Sequence, residues 1–232
     1  MLTVSKLSSE QIAFYKSNGY IKIENAVSAD VLENVRQGYR NAVNGEYLEN
    51  GWENCWKKDE LLQLPSPHEH IPEYQNKEHI EIIVEYARQL EDESINFWYD
   101  QLIYKPAGNK WETPWHQDAG YWQGKNSEVK VRPAALTGWL AVEDVDESMG
   151  CMTFVPGSHK NGRYNHKDVS DVNPIGSALM AEANFDNAIK MPMKAGDITI
   201  HDQYTLHYTT GNSGQKDRCG LVNHMRSVKE ET

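Results

Sequence analysis

A chain of 232 residues with 39% hydrophobic and 25% charged residues has the make-up of a folded globular protein, and its length suits one domain over residues 1–232. The formal net charge of -11 disfavours nucleic acid and anionic lipid as partners, because the mean field around the protein repels polyanions. The first ten residues lack the apolar run of a secretory signal, and no stretch reaches the roughly 18 apolar residues of a bilayer span, so a cytoplasmic protein with no membrane partner is expected. Cys55, Cys151 and Cys219 are odd in number and widely spaced, which suits reduced thiols in or near the core and neither a disulfide framework nor a zinc knuckle.

The spacing predicts a first helix opening at Ser8-Ser9-Glu10-Gln11, carried on by Ile12, Phe14 and Tyr15 and stopped by Asn18-Gly19. Tyr20-Ile21-Lys22-Ile23-Glu24 then alternates as a short strand. A second helix opens at Ser28 with Asp30 in its first turn and Val31, Leu32, Val35 and Tyr39 on one face. A third spans Glu78–Leu90, where Ile82, Ile83, Tyr86 and Leu90 recur at helical spacing. From Phe97 onward the period changes to strand-like runs bounded by turn residues, at 97–105, 133–143, 150–155, 197–202 and 218–228. Helices first and antiparallel-looking strands after them predict an α+β fold with a mainly β core, a sandwich or jelly roll flanked by the N-terminal helices. The polar, turn-rich stretch 160–188 reads as a long excursion over a pocket.

Three His-x-carboxylate pairs occur where 9 histidines and 34 acidic residues give about one by chance: His79/Glu81, His116/Asp118 and His166/Asp168. On a strand such a pair shares one face, because side chains alternate with period two. His79 and Glu81 fall in the predicted helix, where positions two apart point about 200° apart. His166 and Asp168 fall in the loop-like excursion. His116 and Asp118 follow Thr113-Pro114-Trp115, an extended, aromatic-flanked context. The late strands offer His201 and His207 as a third ligand. Two histidines and a carboxylate on one octahedral face leave three positions open, as iron(II) needs for a chelating co-substrate and oxygen together. A zinc hydrolase uses similar ligands but needs no cation for a dicarboxylate. Arg218 offers such a cation: Thr210-Gly211-Asn212-Ser213-Gly214 is a turn signal, and a hairpin there brings Arg218 beside the strand end carrying His207. The alternative is a surface charge on an outer strand.

With these residues the chain resembles the phytanoyl-CoA dioxygenase family of iron(II)/2-oxoglutarate-dependent oxygenases. The resemblance begins with Leu7-Ser8-Ser9-Glu10-Gln11 through Asn18-Gly19-Tyr20 and resumes at Gln101-Leu102-Ile103-Tyr104-Lys105-Pro106. It continues through Trp115-His116-Gln117-Asp118-Ala119-Gly120-Tyr121-Trp122 and Gly150-Cys151-Met152-Thr153-Phe154-Val155-Pro156-Gly157-Ser158-His159, and ends with Gly196-Asp197, His207, Asn212 and Arg218. It implies a cupin-like double-stranded β-helix with iron(II) on His116, Asp118 and His207. It also implies that Arg218, eleven residues beyond His207, binds the distal carboxylate of 2-oxoglutarate. Thr209 matches a hydroxyl position that assists Arg218, and Lys105 and Trp139 match positions lining the co-substrate site. The family's spacing favours His207 over His201 as third ligand. Related halogenases replace the carboxylate with a small residue, and Asp118 argues against that chemistry. With O2 as the other co-substrate, the resemblance implies oxidation of a small-molecule metabolite with formation of succinate and CO2; hydroxylation is the expected outcome, with desaturation and ring formation as the alternatives.

Five tryptophans, Trp98, Trp111, Trp115, Trp122 and Trp139, crowd the middle of the chain and are expected mostly in the core. Tyr121 and Trp122 directly follow Asp118 and are candidates for the substrate wall, while Arg163 and Lys160 are candidates for meeting a substrate anion, with solvated loop charges as the favoured alternative. His159 is expected to be a structural hydrogen-bonder, and His68-Glu69-His70 a surface loop in preference to a second metal site. A non-catalytic jelly-roll binding protein and a metal-dependent hydrolase are the rival functions.

Overall fold

The computed structural model describes residues 4–47, 62–122, 135–171, 178–183 and 185–228. Helix α1 (Ser9–Asn18) opens with a capping box in which the Ser8 hydroxyl accepts from Gln11 N and the Gln11 side chain accepts from Ser8 N. Gly19, at φ 81°, ends it in the left-handed conformation and turns the chain into strand β1 (Tyr20–Ile23). Helix α2 (Ala29–Val43), capped by Ser28, buries Val31, Leu32, Val35 and Tyr39 as its spacing predicts. Strand β2 (Leu62–Pro65), the short helix α3 (Pro67–His70) and helix α4 (Glu78–Leu90) follow.

Strands β3 (Ile95–Lys105) and β4 (Thr113–His116) lead to a one-turn helix α5 (Asp118–Trp122). Then come β5 (Ala135–Ala141), β6 (Met152–Phe154), β7 (His166–Asp168), β8 (Leu179–Ala181) and β9 (Ile189–Met191). The chain closes with β10 (Ile198–Asp202), β11 (His207–Thr209) and β12 (Arg218–Ser227). All five expected strand runs appear, some trimmed; residues 133 and 134, Cys55 and part of the 160–188 excursion lie outside the described residues. Cys151 and Cys219 are free and buried.

Among the described residues the strands pair antiparallel in a six-stranded sheet, β1-β10-β5-β12-β3-β2, a four-stranded sheet, β4-β11-β6-β9, and a two-stranded ribbon, β7-β8. The two larger sheets face each other as a jelly roll. Tyr20 of β1 stacks on Phe154 of β6 at 4.6 Å, and Trp139, Val222, Met152 and Met193 share that inter-sheet core. The helices cover the other face of the larger sheet, where Ile83 of α4 lies so close to Gly138 that a Cβ there would stand 2.3 Å from its methyl. Covered on both faces, β5 is buried at all seven positions, which is why Ala-Leu-Thr-Gly-Trp-Leu-Ala reads as a nearly continuous apolar run.

Helix α4 also settles His79. Its ring packs edge-on against Tyr74, its Nε2 is buried without a partner, and burial together with the nearby His68 pushes its pKa down to about 3. A histidine whose folded pKa is depressed gains its proton on unfolding. Stability is therefore complete above pH 6.5 and falls as pH drops toward 3, by about 1.4 kcal/mol per pH unit. His79→Phe keeps an aromatic ring against Tyr74 and removes the titrating group. In urea unfolding between pH 7 and pH 4, the variant is expected to show a pH slope shallower by about one proton's worth and greater stability at pH 5; a slope equal to wild type would refute the burial of a neutral His79.

Candidate metal and anion site

The ligand atoms of His116, Asp118 and His207 lie within 4.8 Å of one another, and among the described residues this is the one His/Cys/Asp/Glu group so arranged. His116 ends β4, His207 begins β11, and the two residues are paired across the strands. Their rings approach to 4.1 Å between centroids. His116 Nδ1 donates to Pro114 O at 2.7 Å and His207 Nδ1 donates to Thr205 O at 2.9 Å. Each bond fixes the neutral tautomer that leaves Nε2 as a bare lone pair. Both Nε2 atoms face Asp118 Oδ1, at 3.8 and 3.7 Å.

Asp118 reaches this point differently from the strand alternation expected of it. It is the first residue of α5, so a strand end and a helix start, not two positions on one strand face, bring His116 and Asp118 together. Burial alone would raise the Asp118 carboxyl, but the facing His207 imidazole and a hydrogen bond from His201 hold it well below the usual carboxylate range. Burial lowers the pKa of His116, and lowers that of His207 strongly, with the neighbouring imidazoles adding to the effect. Neutral nitrogens beside an ionised carboxylate make the donor set of a divalent transition-metal ion. His201 is not part of the cluster; its Nε2 is turned to Asp118 Oδ2 at 3.2 Å.

Arg218 and Lys105 form a second centre. They are opposite each other on β12 and β3, 1% and 0% exposed, and make no ion pair among the described residues. The Arg218 guanidinium stacks over Trp139 at 4.6 Å, and its Nε and Nη2 are buried without partners. Burial brings its pKa down to about 10, and burial followed by the charge of Arg218 pushes Lys105 well below its ordinary value. Gly220 makes room for this stack, since a Cβ there would stand 2.1 Å from the Trp139 ring. Two buried basic groups side by side, one of them with unfilled N–H groups on Arg218, are unfavourable in isolation and call for an anion.

The predicted hairpin does not form. Strand β11 lies in the four-stranded sheet and β12 in the six-stranded one, so Arg218 approaches from across the sandwich. Thr209 is in place, but its hydroxyl accepts from Lys105 Nζ at 2.7 Å. The ring of Tyr121 lies edge-on to His116 at 5.4 Å, and that of Trp122 edge-on to His224 at 5.2 Å. Both therefore border the metal centre on the side formed by α5. Trp139 is core, whereas Trp98 and Trp111 are 39% and 42% exposed, against the expectation for most of the tryptophans.

Arg163 is half-buried on the segment before β7, with Lys160 behind it in a 3-10 turn, and no described contact brings either to the metal ligands. His166 and Asp168 lie on β7, paired with β8, so they do have a platform; His166 Nε2 accepts from Gln117 N at 3.1 Å and stays outside the cluster. His159 donates to Lys16 O at 3.2 Å as a structural hydrogen-bonder. His68 is not on a free loop: α3 docks on β3 through a 2.6 Å bond between His68 Nδ1 and Asp100. Thr137 and His224, hydrogen-bonded to each other at 2.9 Å beside Asp118, escaped the sequence reading. The usable signal was the two-residue spacing that puts Thr137 on one face with Trp139, and His224 on one face with Arg218.

A family model described as phytanoyl-CoA dioxygenase matches residues 15–220. A probable alpha-ketoglutarate-dependent hypophosphite dioxygenase of Stutzerimonas stutzeri is 27% identical over 214 residues, covering 86% of this chain and 71% of that protein. The peroxisomal phytanoyl-CoA dioxygenase of Rattus norvegicus is 25% identical over 237 residues, covering 95% and 69%. In fold, the chain matches EvdO2 of Micromonospora carbonacea var. aurantiaca, crystallised with 2-oxoglutarate, at a TM-score of 0.81 and 21% identity over 100% of this chain and 96% of that one. The carbocyclase SnoK from nogalamycin biosynthesis matches at 0.71 and 24% identity, over 96% and 85%.

Gln117, between two of the cluster residues, holds the surrounding segments in place. Its amide donates to Gly162 O and Tyr204 O at 2.8 and 2.6 Å and accepts from Tyr164 N at 2.7 Å, while the residue is fully buried. Gln117→Ala deletes three bonds and strands three backbone groups. The expected cost is about 2–4 kcal/mol in urea unfolding, together with faster protease cleavage in the segment between Gly162 and His166. Wild-type stability and cleavage would show that Gln117 does not brace that segment.

Proposed function

The chain belongs to the phytanoyl-CoA dioxygenase family, and we propose that it is an iron(II)- and 2-oxoglutarate-dependent oxygenase that hydroxylates a small molecule, with iron on His116, Asp118 and His207 and the distal carboxylate of 2-oxoglutarate on Arg218. The observation that carries this reading is the pairing of two buried centres: a metal donor set, and a basic pair in which the N–H groups of Arg218 are left for an anion. A hydrolase needs the first centre alone, and a binding module has no use for three converging ligands.

When bound, iron(II) and 2-oxoglutarate couple the reduction of O2 to oxidation of a substrate C–H bond, with succinate and CO2 as co-products. The residues of the chain prepare that chemistry by position. The backbone carbonyls of Pro114 and Thr205 keep the two Nε2 lone pairs aimed at one point. Trp139 fixes the plane of the Arg218 guanidinium, whose planar fork suits a carboxylate, and Thr209 with Thr210 O steadies the Lys105 ammonium beside it. Tyr121 and Trp122 shield the ligand cluster on the α5 side, and substrate approaches along that side, with Arg163 at a greater remove.

Anaerobic addition of iron(II) followed by 2-oxoglutarate tests the reading. Wild type is expected to develop a weak visible charge-transfer band, and His116→Ala none. Arg218→Ala should still take up iron(II) but bind 2-oxoglutarate roughly 30-fold or more weakly, the consequence of ~2 kcal/mol lost from a buried charge pair. A metabolite screen scoring substrate-stimulated succinate formation, blanked with His116→Ala, then identifies the substrate. A wild-type protein that hydrolyses substrates without oxygen and ignores 2-oxoglutarate would overturn the assignment.

A further inference from the structure

The inner face of the six-stranded sheet carries one transverse row of side chains beneath Asp118. Cross-strand pairing sets Tyr20 opposite His201, His201 opposite Thr137, Thr137 opposite His224, and His224 opposite Tyr99. The three central members form a hydrogen-bonded chain that ends on a single carboxylate oxygen. Thr137 Oγ1 donates to Asp118 Oδ2 at 2.5 Å, and His201 Nε2 reaches the same oxygen at 3.2 Å. Asp118 Oδ1, the other oxygen, is the one that faces His116 and His207.

Proton accounting fixes the direction of every bond in the chain. An ionised carboxylate only accepts, so the single hydroxyl hydrogen of Thr137 goes to Oδ2. His224 Nδ1, 2.9 Å from the same hydroxyl, must then be the N–H that donates to Thr137. A neutral His224 then carries a bare lone pair on Nε2, where the structure sets Gln101 Oε1 at 3.4 Å and the Gln101 amide nitrogen on Tyr99 Oη; exchanging the oxygen and nitrogen of that amide turns the first contact into a bond that Nε2 accepts. His201 donates from Nε2, and its Nδ1 is left buried with no partner, an arrangement a phenylalanine in the same inter-sheet packing would avoid. Leaving that atom unsatisfied is explained by what Nε2 holds.

Resting on the oxygenase reading above, we infer that Thr137 and His201 are positioning residues that tie back Asp118 Oδ2 so that the carboxylate offers the metal one oxygen, with His224 orienting the Thr137 hydroxyl. A carboxylate free of such bonds can bind through both oxygens. In an octahedral site with two imidazoles, that second bond removes one of the three positions needed by a two-point keto acid and O2. Hydrogen bonds to the outer oxygen therefore protect the vacancy count without touching the metal.

Iron(II) affinity and the 2-oxoglutarate charge-transfer band, measured anaerobically on folded variants, test this. Thr137→Val keeps the shape and removes the hydroxyl; it is expected to weaken iron(II) binding by roughly 10- to 100-fold and to displace the band maximum. Thr137→Ser should restore both, and His201→Phe should move both in the direction of Thr137→Val by a smaller amount. A folded Thr137→Val with wild-type affinity and band overturns the inference, as does a folded Thr137→Ser that behaves like Thr137→Val. Should Thr137→Val not fold, His201→Phe decides, and wild-type values there overturn it equally. A wild-type protein without a band brings down the oxygenase reading and this inference together, whereas a normal wild-type band with unaltered variants brings down this inference alone.

Discussion

Two imidazoles, a carboxylate, an ammonium and a guanidinium are all buried, and desolvating such groups is unfavourable unless each polar atom is matched. Most of them are matched internally. The Nδ1 atoms of His116 and His207 find backbone carbonyls, Asp118 Oδ2 finds Thr137 and His201, and Lys105 finds Thr209 and Thr210. What stays unmatched is ordered into two places: the point faced by two Nε2 lone pairs and Asp118 Oδ1, and the N–H edge of Arg218. The first fits a cation and the second an anion, and the remaining structure keeps the two apart and aligned.

That separation comes from the sandwich. The four-stranded sheet supplies both histidines through the β4/β11 pair, and the six-stranded sheet supplies Lys105, Trp139 and Arg218. Rigidity follows from burial on both sides: α4 presses on Gly138 from outside while Trp139 presses on Gly220 from within, so β5 and β12 have little room to shift. A glycine at each contact lets the Ile83 methyl and the Trp139 ring approach the backbone more closely than any side chain would allow.

Helices were legible in the sequence because their signals are local. Ser8 and Gln11 act within one turn of each other, Gly19 acts on the last turn alone, and the face of α2 follows from a 3.6-residue period. The three cluster residues were legible by type and context, yet the reason given for His116 and Asp118 was wrong, since a strand-to-helix junction of two residues leaves no periodic trace. The supposed hairpin before Arg218 failed because a turn signal reports a change of direction and says nothing about which sheet receives the next strand. Thr137 and His224 were invisible for a related cause: their partnership is a cross-strand register, fixed by pairing between residues 87 apart.

The 210–217 connection, which misled the sequence argument, is itself closely tied to its surroundings. It crosses from one sheet to the other, joining β11, which carries His207, to Arg218 at the start of β12. Asn212 makes that crossing stiff: its amide donates to Lys105 O and Lys216 O at 2.9 and 2.8 Å, its own N–H reaches Asn109 O at 2.7 Å, and Ser213 is bonded to Ser148 O. Tied to Lys105, Asn109 and Ser148, the crossing keeps β11 and β12 in a fixed relation although they belong to different sheets.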